Sequence, residues 1–343
     1  MRFIGNKENL CERIFAELSK RGISGTTVFD AFAGTTSVGK FFKRKGFRVF
    51  SSDLLYFSFV LQKAYIETND VPKFSNCDFF SKGHTSLFPS RMEQIIDFLN
   101  EIPGESGFVF KNYTPAGGRM YFSEENGCRI DAIRKKIEEW FSENKISETE
   151  YFVLLACLVE SVSFYANVSG VYAAFQKKWD PRALKKFQLR PISLVPGTQK
   201  NAVFLGDAVE TSNAISADIF YLDPPYNQRQ YAPNYHLVET IARNDSPQIH
   251  GITGIREKYE RSRFCNAKTA LIDLGKIARN GNFSTLVMSY NNEGIMSQNS
   301  ILEVLGNYGN VEMVEFEYPR FKSNSNIPTA NKNIREQLYI LRK

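Results

Sequence analysis

The chain of 343 residues is poor in the side chains that staple or metallate a fold. Its five cysteines, Cys11, Cys77, Cys128, Cys157 and Cys265, are odd in number and nowhere close-spaced, which argues against a disulfide framework and against a cysteine zinc site. Three histidines, His84, His236 and His250, are too few for a histidine metal cluster, so no metal is expected. No apolar run approaches the ~20 residues that span a bilayer. The opening "MRFIGNKENL" has no signal-peptide pattern. These absences predict a soluble cytoplasmic protein with no membrane partner. Repeats and low-complexity tracts are also missing. So are the GxGxxG dinucleotide fingerprint and a P-loop GK[ST].

What is present is a large apolar fraction, 43%, with 29 Phe and 16 Tyr, ample for a core and for stacking surfaces. The net charge of +6 is mildly basic, as in proteins that meet a polyanion, though enzymes with neutral partners look the same. The length suits one catalytic-sized domain carrying an insertion. Residues 7–20 have helical apolar spacing. "TTVFDAF" (26–32) reads as a strand, "SVGKFFKRKG" as a helix closed by Gly46, "FRVFSSD" as a strand and "LLYFSFVLQKAYIE" as a helix. This alternation predicts a parallel sheet. It stops at about residue 69 and resumes with "NAVFLGD" (201–207), "ADIFYLDPP" (217–225) and "STLVMSY" (284–290). "VEMVEFEYP" (311–319) and "EQLYILRK" (336–343) suit an antiparallel hairpin. The intervening residues 69–200 read as a mostly helical insertion with irregular loops, so the catalytic domain comprises 1–68 and 201–343. Every strand-end acid then lies along one sheet edge, where open α/β sheets bind ligands.

Four stretches carry chemistry. In "FDAFAGTTSVG", a strand ends near Asp30, and Gly34 opens a turn into a helix whose amides can approach a ligand. An ordinary strand–turn–helix reads the same. Asp53 ends the second strand and suits either a ribose diol or a helix N-cap. Asp207 in "FLGDA" suits an adenine amine or is a solvated loop acid. Asp223-Pro224-Pro225-Tyr226 is the most specific, with chance odds of order one in a few hundred at roughly 5% usage per residue. Proline fixes its own φ and restricts its predecessor. The Asp223 carboxylate and the Pro224 carbonyl become two rigid acceptors, matched to the two protons of an NH2 group. Tyr226 offers a flat face to the ring that bears it. Two such hydrogen bonds pull a delocalised amine toward sp³ and aim its lone pair at an electrophilic methyl. A base within a duplex has to be flipped out to reach them.

These residues resemble the class I S-adenosylmethionine-dependent methyltransferases, and most closely the α-class, D12-type N6-adenine DNA methyltransferases of restriction–modification systems. The order "RFIGNK", "DAFAGTTSVG", a long insertion and "DPPY" is similar, as are "DPPYNQRQYAPNYHLVETIA", "SYNNEGI" and "EYPRFKSN". The resemblance covers nearly the whole chain. It implies a Rossmann-like seven-stranded mixed sheet ending in an antiparallel hairpin, with an inserted DNA-recognition domain over 69–200. It implies S-adenosylmethionine as cofactor, with Asn6 and Lys7 near its methionine end. Asp30, Phe32, Gly34, Thr35 and Thr36 would form its cradle, Asp53 would bind the ribose and Asp207 the adenine amine. Thr36 stands where the family often has glycine, leaving less room.

Double-stranded DNA is the implied partner, and monomeric action the implied state. A cognate restriction endonuclease is a candidate companion that a single chain does not reveal, and the resemblance hints at a short ATG-containing recognition site such as CATG or GGATG. Lys177, Lys178, Arg182, Lys185 and Lys186, in a basic aromatic tract with Trp179 and Arg190, are candidates for phosphate contact. The solvated face of a helix is the equal alternative. Arg119 and Arg229 are candidates for base or backbone contact. Tyr231 and Tyr235 suit stacking or core equally. DPPY by itself also suits an N4-cytosine DNA or N6-adenine RNA enzyme. A non-catalytic DNA-binding protein of the same fold would have no need of Asp30, Asp53 and Asp223 together.

Overall fold

The computed structural model describes residues 7–77, 90–319 and 333–343. These divide into two compact units. One takes in the chain up to Asn69, Val195–Ala232 and the chain from Glu260; the other takes in Asp70–Leu194 and Pro233–Tyr259.

The first unit is built on a seven-stranded sheet. Its strands are β1 (Thr27–Asp30), β2 (Arg48–Asp53), β3 (Ala202–Leu205), β4 (Ile219–Leu222), β5 (Thr285–Asn291), β6 (Asn310–Pro319) and β7 (Asn333–Arg342), in the order β3-β2-β1-β4-β5-β7-β6. The first five pair in parallel, and β7 lies antiparallel between β5 and β6. This is the class I methyltransferase sheet implied by the resemblance. The sequence explains the layering. "IFYL" of β4 is buried at every position, as expected of a strand covered on both faces. Phe29 of β1, Phe220 of β4, Leu286 and Met288 of β5 and Leu341 of β7 share one core with Leu274 and Ile277 of the helix Ala267–Asn280. The helix Ser37–Arg44 ends as predicted, with Gly46 at φ 87°.

The chain runs from β1 outward through β2 and β3 on one side, and from β4 through β5 on the other. Loops following β1 and β4 therefore diverge and open a crevice at the carboxyl edge. Asp30, Asp53, Asp207 and Asp223 stand at the ends of β1, β2, β3 and β4 along that edge.

The second unit is mostly helical. Its helices include Arg91–Glu101, Phe108–Tyr113, Glu124–Ser142 and Glu148–Tyr165. The last is apolar almost all round and correspondingly buried, and it starts at a Ser147/Glu150 capping box.

Two expectations are corrected. Residues 233–259, read with the catalytic segment, belong to the helical unit. The physical reason is long-range: buried Arg134 donates from Nε to the Ile241 carbonyl (3.0 Å) and from Nη2 to the Ala242 carbonyl (3.2 Å), tying down carbonyls at the end of the helix Tyr231–Arg243. The basic tract 171–190 contains no helix or strand, so its alternative as a helix face does not apply.

Candidate active site

The loop after β1 is conformationally constrained. Gly34 has φ 50° and Thr36 φ 64°, so a β-branched residue occupies the left-handed region that favours glycine. Thr36 is fully buried, and its hydroxyl returns to the Thr35 carbonyl at 2.6 Å. Its side chain thus serves the turn and is absent from the cleft lining. Asp53 is not the cap of the following helix, whose N-cap is Leu55 without a side-chain bond. Its Oδ1 accepts the Leu55 N–H at 2.9 Å and its Oδ2 the Gly34 N–H at 2.8 Å. One carboxylate thereby ties the β2 end to the β1 turn. Asp207 caps the helix Ala208–Ala214 by accepting the Val209 N–H at 2.8 Å.

Asp53, Asp207 and Gly34 line a cleft with Phe32 and Phe264, which meet edge to face at 5.0 Å. The cleft encloses about 770 Å³ of empty space, part of it open to solvent, within the range of small-molecule sites. Apolar walls with two carboxylates fit a nucleoside. The same cleft is also lined by Asp223, Pro225, Tyr226 and Tyr231. A smaller recess adjoins, lined by Lys7, Asp30, Thr35 and Asp223 among others. Asp30 is 2% exposed, and its Oδ1 lacks a hydrogen-bond partner among the described residues. Burial, and then the Asp223 charge, push its carboxyl up to about 7, against the pull of the Phe32 N–H. An orphaned buried acceptor beside a small-residue turn fits a ligand ammonium. Asn6 lies outside the described residues.

The Asp223 corner is anchored by parts remote in sequence. The Tyr226 hydroxyl donates to Asp223 Oδ1 and accepts from Lys7 Nζ. Lys7 Nζ lies 3.4 Å from Asp223 Oδ1 and 4.7 Å from the Tyr226 ring centre, and it donates to Glu336 Oε1 at 2.5 Å. The Ser289 hydroxyl donates to the same Glu336 oxygen at 2.7 Å. The Ile295 N–H donates to the Tyr226 carbonyl at 2.9 Å, and the Tyr226 ring meets Tyr290 at 5.3 Å. "SYNNEGI" therefore packs directly on "DPPY". Burial pushes Asp223 up to about 6, the Lys7 ammonium opposing and Glu336 reinforcing. Burial alone would pull Lys7 down, but Asp223 and Glu336 together hold it above its ordinary value. Lys7, expected at the methionine end of the cofactor, is thus bonded to the Asp223 corner while also lining the recess.

Glu336 and Ser289 were not singled out in the sequence. Glu336 reads there as one polar position of a strand, and only the antiparallel placement of β7 beside β5 brings it to Ser289, its register partner being Asn291.

The candidate DNA residues sort differently. Arg119 is corrected: its guanidinium donates to the carbonyls of Asn112 (2.9 Å), Gly251 (3.0 Å) and Ile252 (3.0 Å), with Gly117 at 3.4 Å, so it is a loop brace. Arg182 is half-buried beside Asp180 at 3.5 Å. Lys177, Lys178, Lys185, Lys186 and Arg229 are exposed. Tyr235 is core, fully buried. Gln230 and Ser262 pair reciprocally, at 3.0 and 2.8 Å, fixing the segment that follows the corner. Among the described residues no cluster of three or more His, Cys, Asp or Glu is placed to hold a metal ion, and no helix is long and apolar enough to cross a membrane.

The chain is similar in sequence to known DNA methyltransferases. A model of the D12 class N6 adenine-specific DNA methyltransferases matches residues 3–304. The modification methylase LlaI of Lactococcus lactis subsp. lactis is 38% identical over 355 aligned residues, covering 100% of this chain and 55% of its own length. The type II methyltransferase M.NlaIII of Neisseria lactamica is 36% identical over 353, covering 100% and 99%. M.CviAII of Paramecium bursaria Chlorella virus 1 is 33% identical over 346, covering 99% and 97%. The chain thus spans about half of the LlaI methylase and nearly all of the other two.

Proposed function

We propose that this chain, which belongs to the D12 class N6 adenine-specific DNA methyltransferase family, methylates N6 of a site-specific adenine in double-stranded DNA, with the target base turned out of the duplex. The observation that carries the reading is the corner Asp223–Tyr226, standing at the end of β4 in the same cleft as Asp53 and Asp207. The cofactor, S-adenosylmethionine, supplies an electrophilic methyl on a sulfonium. Asp53 and Asp207 would hold its nucleoside end and Asp30 its ammonium, consistent with the orphaned Asp30 oxygen.

The chain's own groups prepare the amine. Asp223 and the Pro224 carbonyl accept the two N6 protons, draw the nitrogen toward sp³ and direct its lone pair. The proton lost after transfer leaves along the hydrogen bond to Asp223. Tyr226 and Lys7 already hold Asp223 Oδ1, so the carboxylate is oriented before a base arrives and does not reorganise during reaction. The Tyr226 ring, pinned against Tyr290, supplies the stacking face. The helical unit, with exposed Lys177, Lys178, Lys185 and Lys186, serves as the DNA-reading part. Names such as modification methylase among the relatives support a host-protection role beside a restriction endonuclease in a bacterial cytoplasm.

The test is transfer of labelled methyl to duplex DNA, with RNA and adenine-free duplexes alongside. Asp223→Ala should lower turnover by about 10³-fold or more and leave cofactor affinity within about threefold. Label on RNA or cytosine alone, or normal turnover in the variant, would overturn the reading.

A further inference from the structure

We infer that the Tyr221 hydroxyl, and not Lys7, donates to the α-carboxylate of the cofactor, beside the Asp30 that meets its ammonium. This rests on the reading above, in which the recess next to Asp223 takes the methionine end of S-adenosylmethionine. Tyr221 lies in β4, where every position is buried, and is itself 1% exposed. In the sequence it reads as one more core residue. Its neighbours Phe220 and Leu222 do face the core shared with the helix Ala267–Asn280. The alternation of a strand turns Tyr221 to the opposite face. There it lines the recess with Lys7, Asp30, Thr35 and Asp223. Its hydroxyl has no hydrogen-bond partner among the described residues. An unpaired buried hydroxyl is costly and calls for a reason.

The reason lies on the next strand. Asp30 of β1 is the register partner of Tyr221, so the two side chains rise from one face of adjacent parallel strands. The Asp30 Oδ1 is likewise without a partner. One orphaned acceptor and one orphaned donor thus stand side by side, matched to the ammonium and the carboxylate of an α-amino acid. Burial, and then the Asp223 charge, hold the Tyr221 hydroxyl well above its ordinary value, so it keeps the proton it donates. Neighbouring donors are committed elsewhere. An ammonium has three N–H groups, and those of Lys7 have Tyr226, Glu336 and Asp223 as partners. A carboxylate drawn to Lys7 would have to displace one of them. In the turn after β1 the Ala33 N–H donates to the Ser52 carbonyl (2.9 Å), the Gly34 N–H to Asp53 Oδ2 (2.8 Å) and the Thr36 N–H to the Ala33 carbonyl (2.6 Å). Ser289, beside Tyr221, gives its hydroxyl proton to Glu336 Oε1 at 2.7 Å.

The experiment measures cofactor binding by calorimetry on the full chain without DNA, so its outcome does not depend on the methylation reaction. The two ligands are S-adenosylmethionine and its decarboxylated form, which keeps the sulfonium and the ammonium and lacks the carboxylate. Tyr221→Phe should weaken the first about tenfold, as expected of a hydrogen bond to a charged group, and change the second by less than about twofold. The unliganded variant should melt at or above the wild type, because the hydroxyl it loses is unpaired. Lys7→Met should not separate the two ligands. An equal loss on both ligands, or no loss on either, in Tyr221→Phe would overturn the inference. So would an unliganded Phe variant that melts lower, which would make the hydroxyl structural, or a carboxylate-selective loss in Lys7→Met alone. If instead the wild type bound 5′-methylthioadenosine, which has no amino-acid end, as tightly as S-adenosylhomocysteine, the assignment of the recess itself would fall.

Discussion

Asp30 is a buried carboxyl raised by desolvation and then by the charge of half-buried Asp223, whose own upward shift from desolvation and Glu336 is offset by Lys7 beside it. Asp223 is useful only as an ionised acceptor. Its carboxyl is pushed up to about 6, so activity should be full above that value and lost as pH falls through about 6, well above the range of an ordinary aspartate. Single-turnover methyl transfer across pH 4.5–8.5, with DNA and cofactor saturating, checks this. A rate flat down to pH 5 would mean that the corner is ionised far more easily than its burial implies. The role of Asp53 was legible only in part. Its position after β2 is plain in the sequence, whereas its two bonds, to Leu55 and Gly34, depend on the β1 turn folding back to meet it.

At the level of elements, the antiparallel β7 does what no local pattern announces. It inserts between β5 and β6 and delivers Glu336 to Lys7 and Ser289. Glu336 adds negative charge near Asp223 and so raises it. Glu336→Gln keeps an acceptor for Ser289 but removes that charge, so the acid limb of the rate profile should move to lower pH. Glu336→Ala should also lower kcat, because the Ser289 hydroxyl then loses its acceptor and Lys7 a counter-charge in a buried site. Measuring both limbs beside cofactor affinity separates positioning from a general loss of fold. A limb that does not move in the Gln variant would detach Glu336 from the corner. The strands themselves were readable, because runs such as "IFYL" bounded by turn residues leave little choice. The hairpin of β6 and β7 was readable as well; the second partner of β7, β5, was not, since register across an antiparallel insertion is a property of the whole sheet.

On the scale of the molecule, the exposed lysines 177, 178, 185 and 186 lie on a segment without helix or strand, and on the DNA reading proposed above they would meet the phosphate backbone. Replacing all four by alanine should reduce the slope of log K against log salt by up to about 4, at roughly 0.9 per phosphate contact. Specific and non-specific DNA should weaken together, as read by fluorescence anisotropy over a salt series. An unchanged slope would mark them as ordinary solvated surface. Arg119 would not join them, because four of its five N–H donors already brace backbone carbonyls.

The sequence by itself determined the α/β alternation, the interruption after residue 69, the strand-end acids and the stiff Asp223–Tyr226 corner. Each of these depends on local periodicity or on proline and glycine geometry, which act over a few residues. Only the tertiary structure decided that residues 233–259 join the helical unit through Arg134, that Thr36 spends its hydroxyl on the turn, that Arg119 is a brace, and that Lys7 and Glu336 converge on the Asp223 corner. Those outcomes rest on hydrogen bonds between residues far apart along the chain, whose partners exist only once the backbone has folded.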